Sequence, residues 1–102
     1  MSLKKRYLKD KPACKVTFRL EKAAAPSART VHLVGDFNNW DEQAKPMKKS
    51  KNGDFTATLK LDAGVEYQFR YLIDGEKWEN DWKADKYAPS HFPGIDNSVI
   101  TT

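Results

Sequence analysis

Val65-Glu66-Tyr67-Gln68-Phe69-Arg70-Tyr71-Leu72-Ile73-Asp74-Gly75-Glu76-Lys77 is the stretch that decides the fold. Val65, Tyr67, Phe69, Tyr71 and Ile73 alternate with Glu66, Gln68, Arg70 and Leu72, the period of two expected of a strand with one face in a core. Asp74-Gly75 supplies residue types that tolerate the positive φ of a tight hairpin, so Trp78 begins a return strand. The same alternation recurs upstream. Phe55, Ala57, Leu59 and Leu61 share one face against Thr56, Thr58 and Lys60, and Cys14, Val16, Phe18 and Leu20 share one against Lys15, Thr17, Arg19 and Glu21. Thr30–Val34 is a further β-rich run, 45–49 reads as a short edge strand, and Val99-Ile100-Thr101 closes the chain. Residues 21–29 are too short and too proline-interrupted for a helix, and 80–93 read as loop. Short strands with turns between them and no amphipathic helix indicate an all-β domain of about seven antiparallel strands, a sandwich rather than a small barrel.

The chain has 102 residues, enough for one core and too few for most complete α/β enzymes. Hydrophobic residues make up 39% and charged residues 31%, the balance of a globular domain rather than a disordered chain. The net charge is +4, and Lys4, Lys5, Arg6, Lys9 and Lys11 fall within one short run. That run predicts a flexible basic tail over residues 1–12 ahead of a sandwich over 13–102. No apolar run approaches the ~20 residues of a membrane span, and no apolar segment or cleavage site follows the N-terminal cations. Cys14 is the single cysteine, which reads as a small buried hydrophobe and excludes an intrachain disulfide. The expectation is a cytoplasmic chain that engages no membrane.

Catalysis finds little support. His32 and His91 have no third ligand at metal-site spacing, so no metal is expected, and no nucleophile-elbow serine is present. Asp74, Glu76, Glu79 and Asp81 crowd one hairpin, yet read as a solvated turn rather than the unequal carboxylate pair of a glycosidase. No glycine-rich loop opens a helix, and no cofactor is implied.

The aromatic residues carry more. Three Trp, four Tyr and five Phe exceed what a core of this size holds. In Gly35-Asp36-Phe37-Asn38-Asn39-Trp40, Phe37 can plug the core while the two asparagines turn the chain and leave Trp40 at the surface. Trp78 follows the hairpin, Arg70 projects from the outward face of the strand entering it, and Asn97 lies where the last strand begins. Two indoles beside a forked cation and an amide suit a pyranose, with its apolar C–H face and rim of hydroxyls.

Val31-His32-Leu33-Val34-Gly35-Asp36-Phe37-Asn38-Asn39-Trp40, Tyr67 through Trp78, and Asp96-Asn97-Ser98-Val99-Ile100 together resemble carbohydrate-binding module family 48. This group includes the glycogen-binding domain of the AMP-activated protein kinase β subunit and the N-terminal modules of isoamylases and branching enzymes. The resemblance implies an immunoglobulin-like β-sandwich that binds α-1,4-linked glucans such as glycogen, starch and maltooligosaccharides without catalysis of its own. It implies that Trp40 and Trp78 are the stacking rings, that Arg70 stands where kinase-type modules carry a sugar-contacting lysine, and that Asn97 bonds sugar hydroxyls. Trp82, Phe92 and Lys77 are expected as secondary contacts. The competing reading is a protein-interaction or structural module of the same fold, its sugar site decayed, serving a separate kinase or a family 13 glycoside hydrolase. Nucleic acid is disfavoured because the cations gather in the tail and not among the aromatics.

Overall fold

Alternating burial along the chain builds nine strands in the computed structural model, which describes residues 3–90 and 94–102. They are β1 (Leu3–Tyr7), β2 (Ala13–Leu20), β3 (Val31–Gly35), β4 (Lys48–Lys49), β5 (Phe55–Asp62), β6 (Glu66–Ile73), β7 (Lys77–Glu79), β8 (Lys86–Pro89) and β9 (Asp96–Thr101). Two single-turn 3-10 helices, Lys22–Ala24 and Asp36–Asn38, are the only helical segments among the described residues. Neither is long or apolar enough to cross a membrane.

All pairings are antiparallel, and they form two sheets, β1-β2-β5-β4 and β3-β6-β9-β8, with β7 added to β6. The sheets close face to face as an immunoglobulin-like sandwich. Cys14, Val16, Phe18 and Leu20 of β2 meet Phe69, Tyr71 and Ile73 of β6 in a single core. Phe18 packs edge-on against Phe69 at a centroid distance of 5.1 Å, the arrangement aromatic pairs prefer. Each such fully buried ring contributes roughly 1.5–3 kcal/mol by leaving water.

The strand positions depart from the sequence reading in two places. Residues 3–7, expected within a flexible tail, form β1, in which Leu3 and Lys5 are half-buried opposite Phe18 and Val16 of β2 while Tyr7 stays exposed. Lys5 Nζ pairs with Asp85 Oδ2 at 2.7 Å, and the Tyr7 hydroxyl donates to the Thr102 backbone carbonyl, so partners 80 and 95 residues away hold the strand. Residues 86–89, expected in a loop, form β8, an edge strand on which Pro89 is tolerated.

Two residues of β6 and its approach also depart. Val65, placed inward by the alternation, precedes the strand and is exposed. Leu72 does lie on the outward side of β6 but is 3% exposed, because Trp78 stands directly opposite it. The outer face of this sheet is therefore partly covered.

Strand β6 is the organiser. One of its edges carries β3 along most of its length. The other carries β9 beside Glu66–Phe69 and then β7 beside Tyr71–Ile73, so β9 and β7 meet end to end next to Arg70.

Candidate functional site

The loop after β3 is built from local geometry. Gly35 sits opposite Phe69, and a Cβ there would lie 2.5 Å from the Gln68 carbonyl oxygen and 2.7 Å from the Phe69 Cβ, so only glycine permits this approach. The chain then makes one 3-10 turn, in which the Asn38 side chain accepts from Gly35 N–H at 3.1 Å and donates to the Leu33 carbonyl at 2.9 Å. Asn39 and Trp40 both adopt the left-handed conformation with φ of 55°. Asparagine visits this region readily and tryptophan does not, so Trp40 must be held there.

Asp36 is what holds it. Its Oδ1 accepts the Trp40 indole N–H at 2.8 Å, while its Oδ2 accepts the Gln68 backbone N–H at 2.7 Å, tying the indole to β6. The Trp40 backbone N–H closes the loop onto the Gly35 carbonyl at 2.9 Å.

The remaining groups come from the outer face of the second sheet. Arg70 lies opposite Val34, Trp78 opposite Leu72, and Asn97 follows the pairing of Ser98 with Phe69, which sets it beside Arg70. The Arg70 Cζ is 4.9 Å from the centroid of the Trp78 ring and 6.0 Å from that of Trp40. The guanidinium thus bridges the two indoles, with a cation–π attraction of about 0.5–1 kcal/mol at each ring. Partial burial pulls Arg70 below its ordinary value without discharging it at neutral pH. Asn97 Nδ2 donates to Gln68 Oε1 at 3.0 Å.

Together these residues line a cleft of about 460 Å³, walled further by Glu42, Pro89 and Ser90. Both indoles are half-buried. Two buried polar atoms here, Arg70 Nε and Asn97 Oδ1, have no hydrogen-bond partner among the described residues. The cleft thus offers flat apolar rings, a fixed cation and amide groups, the chemistry that grips a ring with one apolar face and polar edges.

The structure brings together four of the residues singled out in the sequence, Trp40, Arg70, Trp78 and Asn97. Trp82 is 56% exposed and does not line the cleft, and Lys77 is exposed beside Trp78, on the opposite side of β7 by strand alternation. Phe92 lies outside the described residues. The hairpin carboxylates, read as a solvated turn, divide in two. Asp74 is exposed and accepts the backbone N–H groups of Arg29 and Thr30 at 2.8 and 2.9 Å. Asp81 is 1% exposed and accepts the Tyr71 hydroxyl at 2.8 Å, so it is a buried network residue and not part of a solvated turn. No group of three or more His, Cys, Asp or Glu among the described residues is placed to hold a metal ion.

Sequence reasoning missed Asp36 and Gln68. Asp36 stands inside the quoted Gly35–Trp40 segment four residues before the indole, which was the available signal; Gln68 read as an ordinary solvated position on a half-buried strand.

Residues 11–88 match the family described as carbohydrate-binding module 48 (isoamylase N-terminal domain), a span that includes Trp40, Arg70 and Trp78 and stops before Asn97. The chain belongs to the carbohydrate-binding module 48 family. The 1,4-alpha-glucan branching enzyme GlgB of Butyrivibrio fibrisolvens is 41% identical over 64 residues, which cover 63% of this chain and 10% of that protein. Protein PTST homolog 2, chloroplastic, of Arabidopsis thaliana is 41% identical over 63 residues, 62% of this chain and 10% of that protein. The branching enzyme GlgB of Synechococcus sp. (strain CC9902) is 36% identical over 77 residues, 74% of this chain and 10% of that protein. The chain spans about a tenth of the length of these relatives. As a family 48 module it is similar to a small part of each.

Proposed function

We propose that this module binds α-1,4-linked glucans such as glycogen, starch or maltooligosaccharides without catalysing a reaction on them, and so holds itself or a partner enzyme on the polymer. The observation that carries the reading is the pair of indoles bridged by Arg70 over an open cleft. In this reading Trp40 and Trp78 stack on the C–H faces of glucose units, while Arg70, Gln68 and Asn97 bond the hydroxyl rims. The unpartnered Arg70 Nε and Asn97 Oδ1 give the site unused hydrogen-bonding capacity. Membership of family 48 and similarity to proteins named as 1,4-alpha-glucan branching enzymes support the same ligand class.

The affinity follows from the number of platforms. Stacking of a base on an aromatic side chain contributes ~1–3 kcal/mol, and two rings at a similar value place one short oligosaccharide near millimolar Kd. A polymer presents many repeats, and rebinding along it raises the effective affinity.

Isothermal titration of maltoheptaose into the wild-type chain, Trp40→Ala and Trp78→Ala, at low and high salt, tests the reading. Heat in the wild type that disappears in both variants and ignores salt is the expected result, since a neutral polymer releases no counterions. Absence of heat and of amide shifts at millimolar sugar sinks it and favours a protein-interaction role for the same surface.

A further inference from the structure

The sandwich has a second outer face, on the sheet β1-β2-β5-β4, and its register lines up positive charge. Arg6 lies opposite Lys15, which lies opposite Lys60, three cations in a row across three strands. The neighbouring row is Lys4, Thr17 and Thr58, with the two threonine hydroxyls 3.0 Å apart, and the next is Arg19, Thr56 and Lys48. All six cations are exposed. Arg19 is paired with Asp54; the other five have no carboxylate within salt-bridge distance among the described residues. Asp62, opposite Ala13 at one end of β5, and Asp54, which pairs with Arg19 at the other end, are the acids beside these rows.

Like charges set directly opposite one another in a sheet destabilise it, so this alignment opposes folding. Edge strands often carry lysine to block pairing with other chains, which accounts for Lys4 and Arg6 on β1. It does not account for Lys15, which has β1 on one side and β5 on the other; β4 covers β5 only at Phe55 and Thr56, so Lys60 lies beyond the reach of that edge strand.

We propose that this face docks an acidic, extended polypeptide segment of a protein partner. Charge complementarity selects an anion, and two features select a polypeptide. Residues on one face of a strand repeat every ~6.6–6.8 Å, so carboxylates at alternate positions of an extended segment laid along β2 match the spacing of the rows. Among the described residues the rows themselves carry no aromatic side chain on which unpaired bases could stack, the exposed Tyr7 lying at the end of β1 on the opposite side of its alternation, and stacking rings are the feature that single-stranded nucleic-acid sites use. Thr17, Thr56 and Thr58 supply hydroxyls to peptide groups between the cations. The glucan cleft lies on the other sheet, so both ligands fit at once.

The probe is a blocked peptide of alternating Glu and Thr, about a dozen residues long, titrated into the isotope-labelled full chain at low salt and followed by amide chemical shifts. Shifts confined to β1, β2 and β5, abolished by moderate salt and weakened about tenfold in the Lys15→Glu/Lys60→Glu double variant, support the proposal. Lys15→Gln/Lys60→Gln, which removes charge without reversing it, weakens binding by less, and thermal melts verify that both variants fold. No shifts at millimolar peptide, or equal binding by the charge-reversed variant, overturns it. Tighter binding of oligothymidylate, or of phosphatidylglycerol vesicles, also overturns it, in favour of nucleic acid or a lipid surface. Maltoheptaose shifts fall on β6, β7 and β9, so failure of either site is read separately.

Discussion

Asp36 receives the indole N–H of Trp40 on one carboxylate oxygen and the backbone N–H of Gln68 on the other, so a single side chain fixes a surface ring to the central strand. Both bonds end on carboxylate oxygens, which are strong acceptors. The left-handed φ of Trp40 persists because this carboxylate and the Gly35 carbonyl both hold the residue.

Asp36→Ala releases the ring while leaving it present. The expected result is a loss of about 1 kcal/mol of stability and a three- to tenfold weaker response to maltoheptaose, roughly 0.7–1.4 kcal/mol. Titration calorimetry and tryptophan anisotropy measure both. Unchanged sugar binding with a mobile Trp40 would show that the clamp does not serve the site.

Arg70→Lys keeps the charge and loses the planar fork that faces two rings. Affinity should fall by about fivefold, near 1 kcal/mol, with little change in melting temperature. A lysine variant that binds as well as wild type would reduce Arg70 to a charge and discard the bridging role.

Tyr71→Phe removes the hydroxyl that Asp81 accepts at 2.8 Å and leaves a carboxylate oxygen buried without that partner. Desolvation first, and then the Asp81 charge, push the Tyr71 hydroxyl well above its ordinary value, so it stays a donor across the physiological range. Urea unfolding should show a loss of about 1–3 kcal/mol. Because the network lies behind β6, sugar binding at saturation should be unaffected.

Acid should weaken the fold through Asp54 and Asp74. The Lys22 backbone N–H, and then Arg19, hold the Asp54 carboxyl below its ordinary 3.8. The Thr30 and Arg29 N–H groups do the same for Asp74. In each case the unfolded chain takes up protons before the folded chain does, so the contribution is complete above that ordinary value and is lost as pH falls through the depressed one. Chemical denaturation between pH 5 and 2, about the range over which carboxylates titrate, should give a falling stability whose slope is reduced in Asp54→Asn. An unchanged slope would remove Asp54 from the account.

The strands that were legible in the sequence are those whose inward residues are all apolar. In β2, β5 and β6 the pattern runs for eight residues each, and Asp74-Gly75 marks the hairpin without ambiguity. Strand β1 was illegible because an inward position is Lys5, made acceptable only by Asp85, which no local pattern reveals. β8 was illegible because it is four residues long and ends in proline. In the cleft, residue type was enough to single out Trp40, Arg70, Trp78 and Asn97, but not to show that they meet. Their meeting depends on β9 and β7 dividing one edge of β6, a property of register. Asp36 acts through a turn followed by two left-handed residues, and Gln68 through its bond to Asn97, neither of which a period of two encodes.

That division of one edge of β6 between two strands has a kinetic consequence. The cleft draws on residues from Asp36 to Asn97, and Asn97 must come back across 29 positions of sequence, which include β7 and β8, before it reaches Gln68. Loop closure of that kind comes late and makes folding slow, in the range of milliseconds to seconds for β-sandwiches. A nascent or partly folded chain therefore has both tryptophans but no assembled cleft, and a ligand that requires the cleft would act by delaying unfolding rather than by hastening folding.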